Sequence, residues 1–423
     1  MSSLIESSVV ARNDLPPAAG LRARWVRIVA FSWGFCAFFP VGLMYLHLLV
    51  LMLAMCFTPG LSARVRALRN NSLIPPLLLM VAWTLLAAVV GGMYPDLSTR
   101  VFHVVRVFVV LSVAVMLTRE EAKAAFRGLL IGALFACLLI AVHRVWGLPD
   151  WSIWKSLIAP RNNFSSGNMM TMAIAAGVLV CLAMGVGAKG AQRWLSLLAA
   201  CVLAATVVLH ALSRNAQVLL ALAPMTVVLH RFRSWRALLV GLALVASLMA
   251  LAWHFSPTIQ GRFAEVSSNL QAANDEARYN TSIGVRWRMY QEAVNGMRAR
   301  PLFGQGVGSW LPHWKRVWAS LDQRLPPEES IRFAEINNPH NDFLLAGVET
   351  GIPGMLILIW LFARIIRAGW RQRGTAGSIT LMMAVAIAGS ALVNAPLRDA
   401  ALGMTLLWLL GASLAAHPEK PRG

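Results

Sequence analysis

Long apolar runs, separated by short arginine-bearing stretches, set the pattern of the chain. A bilayer-spanning helix needs roughly 20 mostly apolar residues, with a range of about 17–25. Runs of this kind, some short, lie near 25–40, 41–57, 73–93, 101–117, 127–146, 168–187, 194–212, 215–230, 237–255, 343–363, 378–396 and 399–416. They predict twelve helices. The first two are divided only by Pro40 and Gly42, which fits a tight hairpin or one long broken helix. Between the ninth and tenth runs the pattern changes. Val285, Met289, Ala293 and Met297 recur every four residues, which predicts an amphipathic helix over about 284–300. Trp310, Trp314 and Trp318 keep the same spacing beside Lys315 and Arg316. That stripe suits a helix lying at the bilayer interface or one packed onto the span ends.

Composition agrees with a membrane chain. Of 423 residues, 58% are hydrophobic and 13% charged, where a soluble domain carries about one quarter charged residues. Mean hydropathy is +0.62. A disordered chain, a collagen and an ordinary soluble enzyme are excluded. Five cysteines (Cys36, Cys56, Cys137, Cys181 and Cys201) all lie in apolar runs without a CxxC pair, so they read as core side chains rather than a disulfide framework or metal centre. The fold class is an all-α integral membrane protein of about 12 transmembrane helices, with a long, partly helical segment between the ninth and tenth spans.

The formal charge of +20 would suggest nucleic acid on a soluble chain. Here it reads as topology, because basic residues concentrate in cytoplasmic loops; membrane lipids are expected partners and nucleic acid is not. Alternate loops carry 21 basic residues, against six in the short loops of the other set, Arg100, Arg144, Lys155, Arg161, Arg214 and Arg398. The basic set is therefore cytoplasmic, with both termini inside. Residues 1–24 form an N-terminal tail, 25–255 hold spans one to nine, 256–342 lie outside, 343–416 hold the last three spans and 417–423 form a second tail. The polar tail with Pro16 and Pro17 does not read as a cleavable signal.

Candidate chemistry gathers on the outer face. Arg161 follows Pro160 in a short loop, and Arg214 lies in Leu-Ser-Arg-Asn between two apolar runs. An arginine embedded in an apolar stretch is a functional candidate by default, with snorkelling as the alternative; Arg106, inside the fourth span, is a weaker case. Arg286 sits on the first turn of the amphipathic helix. Arg288 points roughly 200° away from it, so only one of the two can readily face a common ligand. Glycines 304, 306 and 308 read as a structural turn rather than a phosphate loop, since no strand precedes them. Asn338 fits an N-cap and Pro339 the first helical position, which puts His340 on the first turn of the tenth span. His313 reads as structural. Several arginines and one potential base suit a phosphate or pyrophosphate donor.

Four motifs carry a family resemblance: Ser213-Arg214; Gly284-Val285-Arg286 with Trp287; Pro301 to Gly304 with Gly306 and Gly308; and Pro339-His340-Asn341 followed by Glu349 and Gly351. Over about residues 160–400 the chain resembles the bacterial O-antigen ligase/O-antigen polymerase superfamily. Asn215 departs from the glycine of that pattern, which weakens a tight turn there but not the arginine. The resemblance implies a metal-independent, inverting glycosyltransferase without a cofactor. It would move O-antigen polysaccharide from an undecaprenyl-pyrophosphate-linked donor to a lipid A–core acceptor, at the periplasmic face of the bacterial inner membrane, in lipopolysaccharide biosynthesis. Residues 256–342 would be its periplasmic catalytic segment. His340, Arg214 and Arg286 would be catalytic; Arg161, Arg288 and Asn341 would bind substrate. No Asp-x-Asp motif offers oxygens to a divalent ion.

Two other readings remain. A polymerase of the same superfamily would join lipid-linked repeats. The tryptophan stripe tilts instead toward a bulky, amphiphilic, anionic acceptor. A flippase or transporter would place coupling groups near the midplane on broken helices; here nearly all charges sit at loop level, with Arg106 the main exception, and no internal repeat is visible.

The charge bias makes a direct prediction. Cysteine introduced at Arg69 or Arg371 should resist a membrane-impermeant thiol reagent in intact spheroplasts, and cysteine at Gln323 should label. The opposite pattern would invert the topology.

Overall fold

The computed structural model describes residues 21–37, 41–56, 71–148, 166–210, 214–255, 260–261, 264, 282–321, 327–398 and 400–415. Every regular element among them is a helix. In chain order these are α1 (Leu21–Cys36), α2 (Val41–Cys56), α3 (Ile74–Gly91), α4 (Leu97–Arg106), α5 (Val109–Met116), α6 (Arg119–Trp146), α7 (Ser166–Gly187) and α8 (Gly190–His210). There follow α9 (Arg214–Phe232), α10 (Trp235–Phe255), α11 (Ser282–Ala299), α12 (Trp310–Ser320), α13 (Pro327–Ala334), α14 (Asp342–Arg371), α15 (Thr375–Val393) and α16 (Ala400–Ala415). Among the described residues, each apolar run is mainly helical. Among the described residues, six stretches are long and apolar enough to cross a membrane: Ile74–Gly91, Leu97–Met116, Arg119–Trp146, Gly190–Leu209, Asp342–Arg371 and Thr375–Val393. Shorter apolar stretches lie within Tyr45–Ala54, Ala173–Gly187, Leu219–Phe232, Trp235–Ser247 and Gly403–Ala415.

Several boundaries move for local reasons. The fifth run was expected to open at 127, but α6 opens at Arg119. Thr118 accepts from the Glu121 N–H while Glu121 reaches back to the Thr118 N–H, a capping box that starts the helix early. The fourth run is two helices. After Arg106 the chain tightens through Val107 N–H to Val104 O and Phe108 N–H to Val105 O, then resumes as α5. Of the open alternatives for the first two runs, the hairpin holds: α1 and α2 pack side by side, with His47 Nε2 2.9 Å from Ser32 Oγ.

The main core is shared by most of the apolar helices. Trp33 stacks on Trp408 at 3.8 Å between centroids and 5° between planes. The α1–α6 crossing is closer than side chains allow. A Cβ at Gly34 would strike the Ala125 carbonyl oxygen, and one at Gly128 the Phe31 carbonyl oxygen. Small residues at such crossings let two backbones approach inside a membrane. Helices α9 and α15 run antiparallel, since Leu222 meets Gly389 and His230 bonds Ser378. The Arg214 end of α9 therefore lies level with the end of α15. Cys137 and Cys181 are buried as expected; Cys201 is exposed.

A second core covers one end of the bundle. The four-residue period of α11 is fully used: Val285, Met289, Ala293 and Met297 are all buried. Trp310, Trp314 and Trp318 face inward, not toward an interface. Their indole N–H groups donate to Ile336 O (3.1 Å), Phe333 O (2.9 Å) and Ser330 Oγ (3.2 Å), fastening α12 to α13 and the chain beyond it. The glycine turn between α11 and α12 is a contact device. Gly306, with φ 102°, lies against the backbone of Gly91, where a Cβ would be 2.7 Å from the Gly91 oxygen.

The α1–α6 contact can be tested alone. Gly128→Ala should destabilise the protein by about 1–3 kcal/mol, the usual cost of overpacking. Gly42→Ala should be neutral, because nothing lies within 4 Å of its Cβ position. Thermal denaturation in detergent would read both, and equal midpoints would show that the crossing can open.

Candidate active site

The site forms where the chain enters α14. Asn341, extended at φ −158° and ψ 112°, is the N-cap, and its Oδ1 accepts from Leu344 N–H at 2.9 Å. This corrects the expectation that Asn338 caps and His340 lies on the first turn. Asn338 instead turns its Oδ1 to the His340 N–H, at 2.9 Å. His340 thus precedes the cap, in the left-handed region at φ 52°. Such a backbone is uncommon outside glycine and must be held by its surroundings.

Those surroundings are polar and specific. His340 is half-buried, with Nδ1 3.2 Å from Asn394 Oδ1. Its carbonyl accepts from the Tyr290 hydroxyl at 3.4 Å, which also donates to Leu392 O at 3.3 Å. Arg286 lies one turn before Tyr290 on α11. Burial, and then the Arg286 charge, lower the His340 imidazole below its ordinary 6.5, against the opposing Asn394 hydrogen bond. Burial raises the Tyr290 phenol, so it remains a donor at neutral pH. The arrangement offers a neutral imidazole beside a fixed cation.

A buried charge network supports this entrance. Asp342 and Glu349, seven residues apart, share one face of α14. Glu349 is 2% exposed, with Arg100 Nε at 3.2 Å from one carboxylate oxygen and Arg398 Nη2 at 3.0 Å from the other. Arg100 Nη2 also donates to Asn337 O at 2.6 Å, three residues before His340. Asp342 Oδ2 accepts from Leu397 N–H at 2.9 Å, while Arg106 Nη2 donates to Leu397 O. The α15–α16 connection is thereby tied to the start of α14. Beside the network lies a cavity of about 70 Å³, lined in part by Arg100, His103, Asp342, Glu349 and Arg398.

The other expected residues fall out as follows. Arg161 lies outside the described residues. Arg214 opens α9 at the level of Asn394, and its side chain is outside the described set. Arg286 and Arg288 diverge, as their helical spacing requires. Arg288 Nη2 bonds Glu292 at 3.0 Å, and His313 Nε2 lies 3.4 Å from the other Glu292 oxygen. The Asn341 amide is occupied by the cap and by donation to Leu392 O at 2.9 Å, so it tethers backbone. Sequence reasoning missed the clamp of Arg100, Glu349 and Arg398. The available signal was two carboxylates seven apart at the head of an apolar run. Among the described residues, no group of three or more His, Cys, Asp or Glu could hold a metal ion.

An all-helical bundle with six candidate membrane spans among the described residues defines the class: a polytopic membrane protein. Residues 199–359 match the family model described as O-antigen ligase, which supports membership of the O-antigen ligase/polymerase superfamily. That span contains Arg214, Arg286, His340 and Glu349. No curated protein matches the chain.

The clamp generates a stability prediction. Glu349→Ala would leave the buried Arg100 guanidinium and the part-buried Arg398 without their carboxylate, a change worth about 3–5 kcal/mol in comparable buried pairs. Glu120→Ala, which removes an exposed pair with Lys123, should stay within about 1 kcal/mol. Denaturation midpoints of the two variants check the contrast, and a Glu349→Ala protein as stable as wild type would remove the clamp's structural role.

Proposed function

We propose that the protein is a metal-independent, inverting glycosyltransferase of the O-antigen ligase type. It transfers O-antigen polysaccharide from undecaprenyl pyrophosphate to lipid A–core at the periplasmic face of the inner membrane. The observation that carries this reading is the neutral-leaning His340 beside Arg286, within the matched O-antigen ligase segment.

The chemistry follows from the residues. The donor pyrophosphate binds Arg286, joined by Arg214 from the neighbouring end of α9 and by Arg161. Arg288, bound to Glu292, is left outside this clamp. An acceptor sugar hydroxyl gives its proton to His340 as its oxygen bonds to the anomeric carbon. The bond from that carbon to the pyrophosphate oxygen breaks on the opposite side, and its electron pair leaves with undecaprenyl pyrophosphate. Attack from the opposite side inverts the anomeric configuration. Fixed guanidinium charge takes up the developing negative charge without a metal. A lowered histidine pKa favours this role, because the base form then persists into mildly acidic solution.

The test is reconstitution with undecaprenyl-pyrophosphate glycan and lipid A–core. Transfer should proceed in excess EDTA. His340→Ala should slow it by about 10²–10⁴-fold, the usual range for general-base assistance. Arg286→Ala should slow it by about 10- to 100-fold, for one charge-assisted phosphate bond. Because the His340 pKa is lowered from 6.5, the wild-type rate should fall only at a pH below that value. This acid limb should vanish in His340→Ala. Chain growth on the donor lipid without lipid A–core would identify a polymerase. Lipid crossing the bilayer without covalent change would identify a transporter.

A further inference from the structure

An imidazole base can use only one of its nitrogens, and the bond made by the other decides which. His340 Nδ1 lies 3.2 Å from Asn394 Oδ1, across from the end of α15. Asn394 is the C-cap of that helix, extended at φ −153° and ψ −176°, with its own N–H bonded to Ser390 O at 2.8 Å. The connection that carries it is fixed to α14 at three further points. Asn341 bonds Leu392 O, Asp342 bonds Leu397 N–H and Arg398 bonds Glu349. Asn394 is thus presented from a connection fixed on both sides of it, and the histidine backbone is locked by Asn338 and Tyr290.

Resting on the transferase reading above, we propose that Asn394 is a positioning residue: its amide oxygen accepts the Nδ1 proton of His340, leaving Nε2 unprotonated as the base. The choice of an amide over a carboxylate has a physical reason. An aspartate here would stabilise the imidazolium and so reduce the free base. It would also put a negative charge beside the site of a polyanionic leaving group. Asparagine orients the ring without adding charge. The described charged or titratable groups around His340 are consistent with that economy. They are Arg286 and Tyr290 on α11, Asp342 on α14, engaged with Leu397, and Arg100 on α4, engaged with Asn337 and Glu349.

The test reads the tautomer directly and then its consequence. The full chain, labelled with ¹⁵N-histidine in proteoliposomes, would be examined by solid-state NMR at a pH above the His340 pKa. The signal missing from His340→Ala identifies the residue. A protonated Nδ1 with bare Nε2 in the wild type supports the proposal; a bare Nδ1 with protonated Nε2 overturns it, since Asn394 would then be the donor. Asn394→Leu keeps the volume but not the acceptor. It should shift the tautomer toward Nε2–H and lower kcat by about 10- to 100-fold, part of the general-base contribution, with the donor KM within a few-fold. Asn394→Asp should keep the Nδ1–H tautomer, retain most of the rate and move the acid limb to higher pH. Unchanged tautomer and kcat in Asn394→Leu would overturn the proposal. If wild-type protein transfers no glycan at all, the transferase reading fails. The NMR arm, which needs no turnover, still decides whether Asn394 sets the tautomer.

Discussion

The carboxylate of Glu349, buried between Arg100 and Arg398, is the interaction on which the rest of the site depends. It joins three pieces of chain that are remote in sequence: α4, the body of α14 and the α15–α16 connection. A buried ion pair is weak grounds for overall stability, because well-packed apolar residues can serve as well. Its value here is location. The same Arg100 that holds Glu349 also holds the Asn337 carbonyl, and Arg398 belongs to the connection that presents Asn394. Apolar side chains could fill the volume but could not fix the Asn337–His340 turn against that connection in one register.

The electrostatics around His340 then follow a single logic. Under the transferase proposal, a base beside a polyanionic donor has to stay neutral while an arginine stands close by. Desolvation and the Arg286 charge push the imidazole in the same direction, toward the free base. The Tyr290 phenol, kept protonated, bonds to the backbone carbonyl rather than competing for the ring. Arg288 is neutralised by Glu292 on the other flank of α11. One helix thus sets Arg286 toward His340 on one side and the Arg288–Glu292 pair on the other.

Much of this was legible in the sequence, wherever the signal was periodic or local. The four-residue spacing of Val285, Met289, Ala293 and Met297 marked the buried face of α11, and all four are in the core. The separation of Arg286 from Arg288 followed from helix geometry alone. The cap was misplaced by three residues, at Asn338 rather than Asn341. Pro339 pointed to Asn338, but the extended backbone of Asn341 and its bond to Leu344 N–H make Asn341 the cap. The clamp was hidden because Arg100 and Arg398 look like ordinary loop charges until tertiary contact brings them to Glu349. The tryptophan stripe was ambiguous for a similar reason: spacing shows that three indoles share a face, not what covers it.

Two breaks within the spans pack against the elements of this site, and each is compensated. Helix α14 departs from helical geometry at Gly351, φ 79° and ψ 176°, two residues before Pro353. A break at membrane depth is tolerated only where protein supplies the missing partners. Here it does: Gln305 N–H takes the Val348 carbonyl, the Trp83 indole takes the Thr350 carbonyl, and Ile352 N–H turns to Pro301 O. A side chain at Gly351 would strike the Leu302 carbonyl oxygen, so the bend and the α11–α12 turn require one another. The break between α4 and α5 falls likewise at Arg106, whose guanidinium reaches the α15–α16 connection. The bends bring two spans, the glycine turn and that connection onto the entrance of α14. A straight-helix bundle would leave His340 on an unsupported loop; this one pins its backbone and its ring from separate elements.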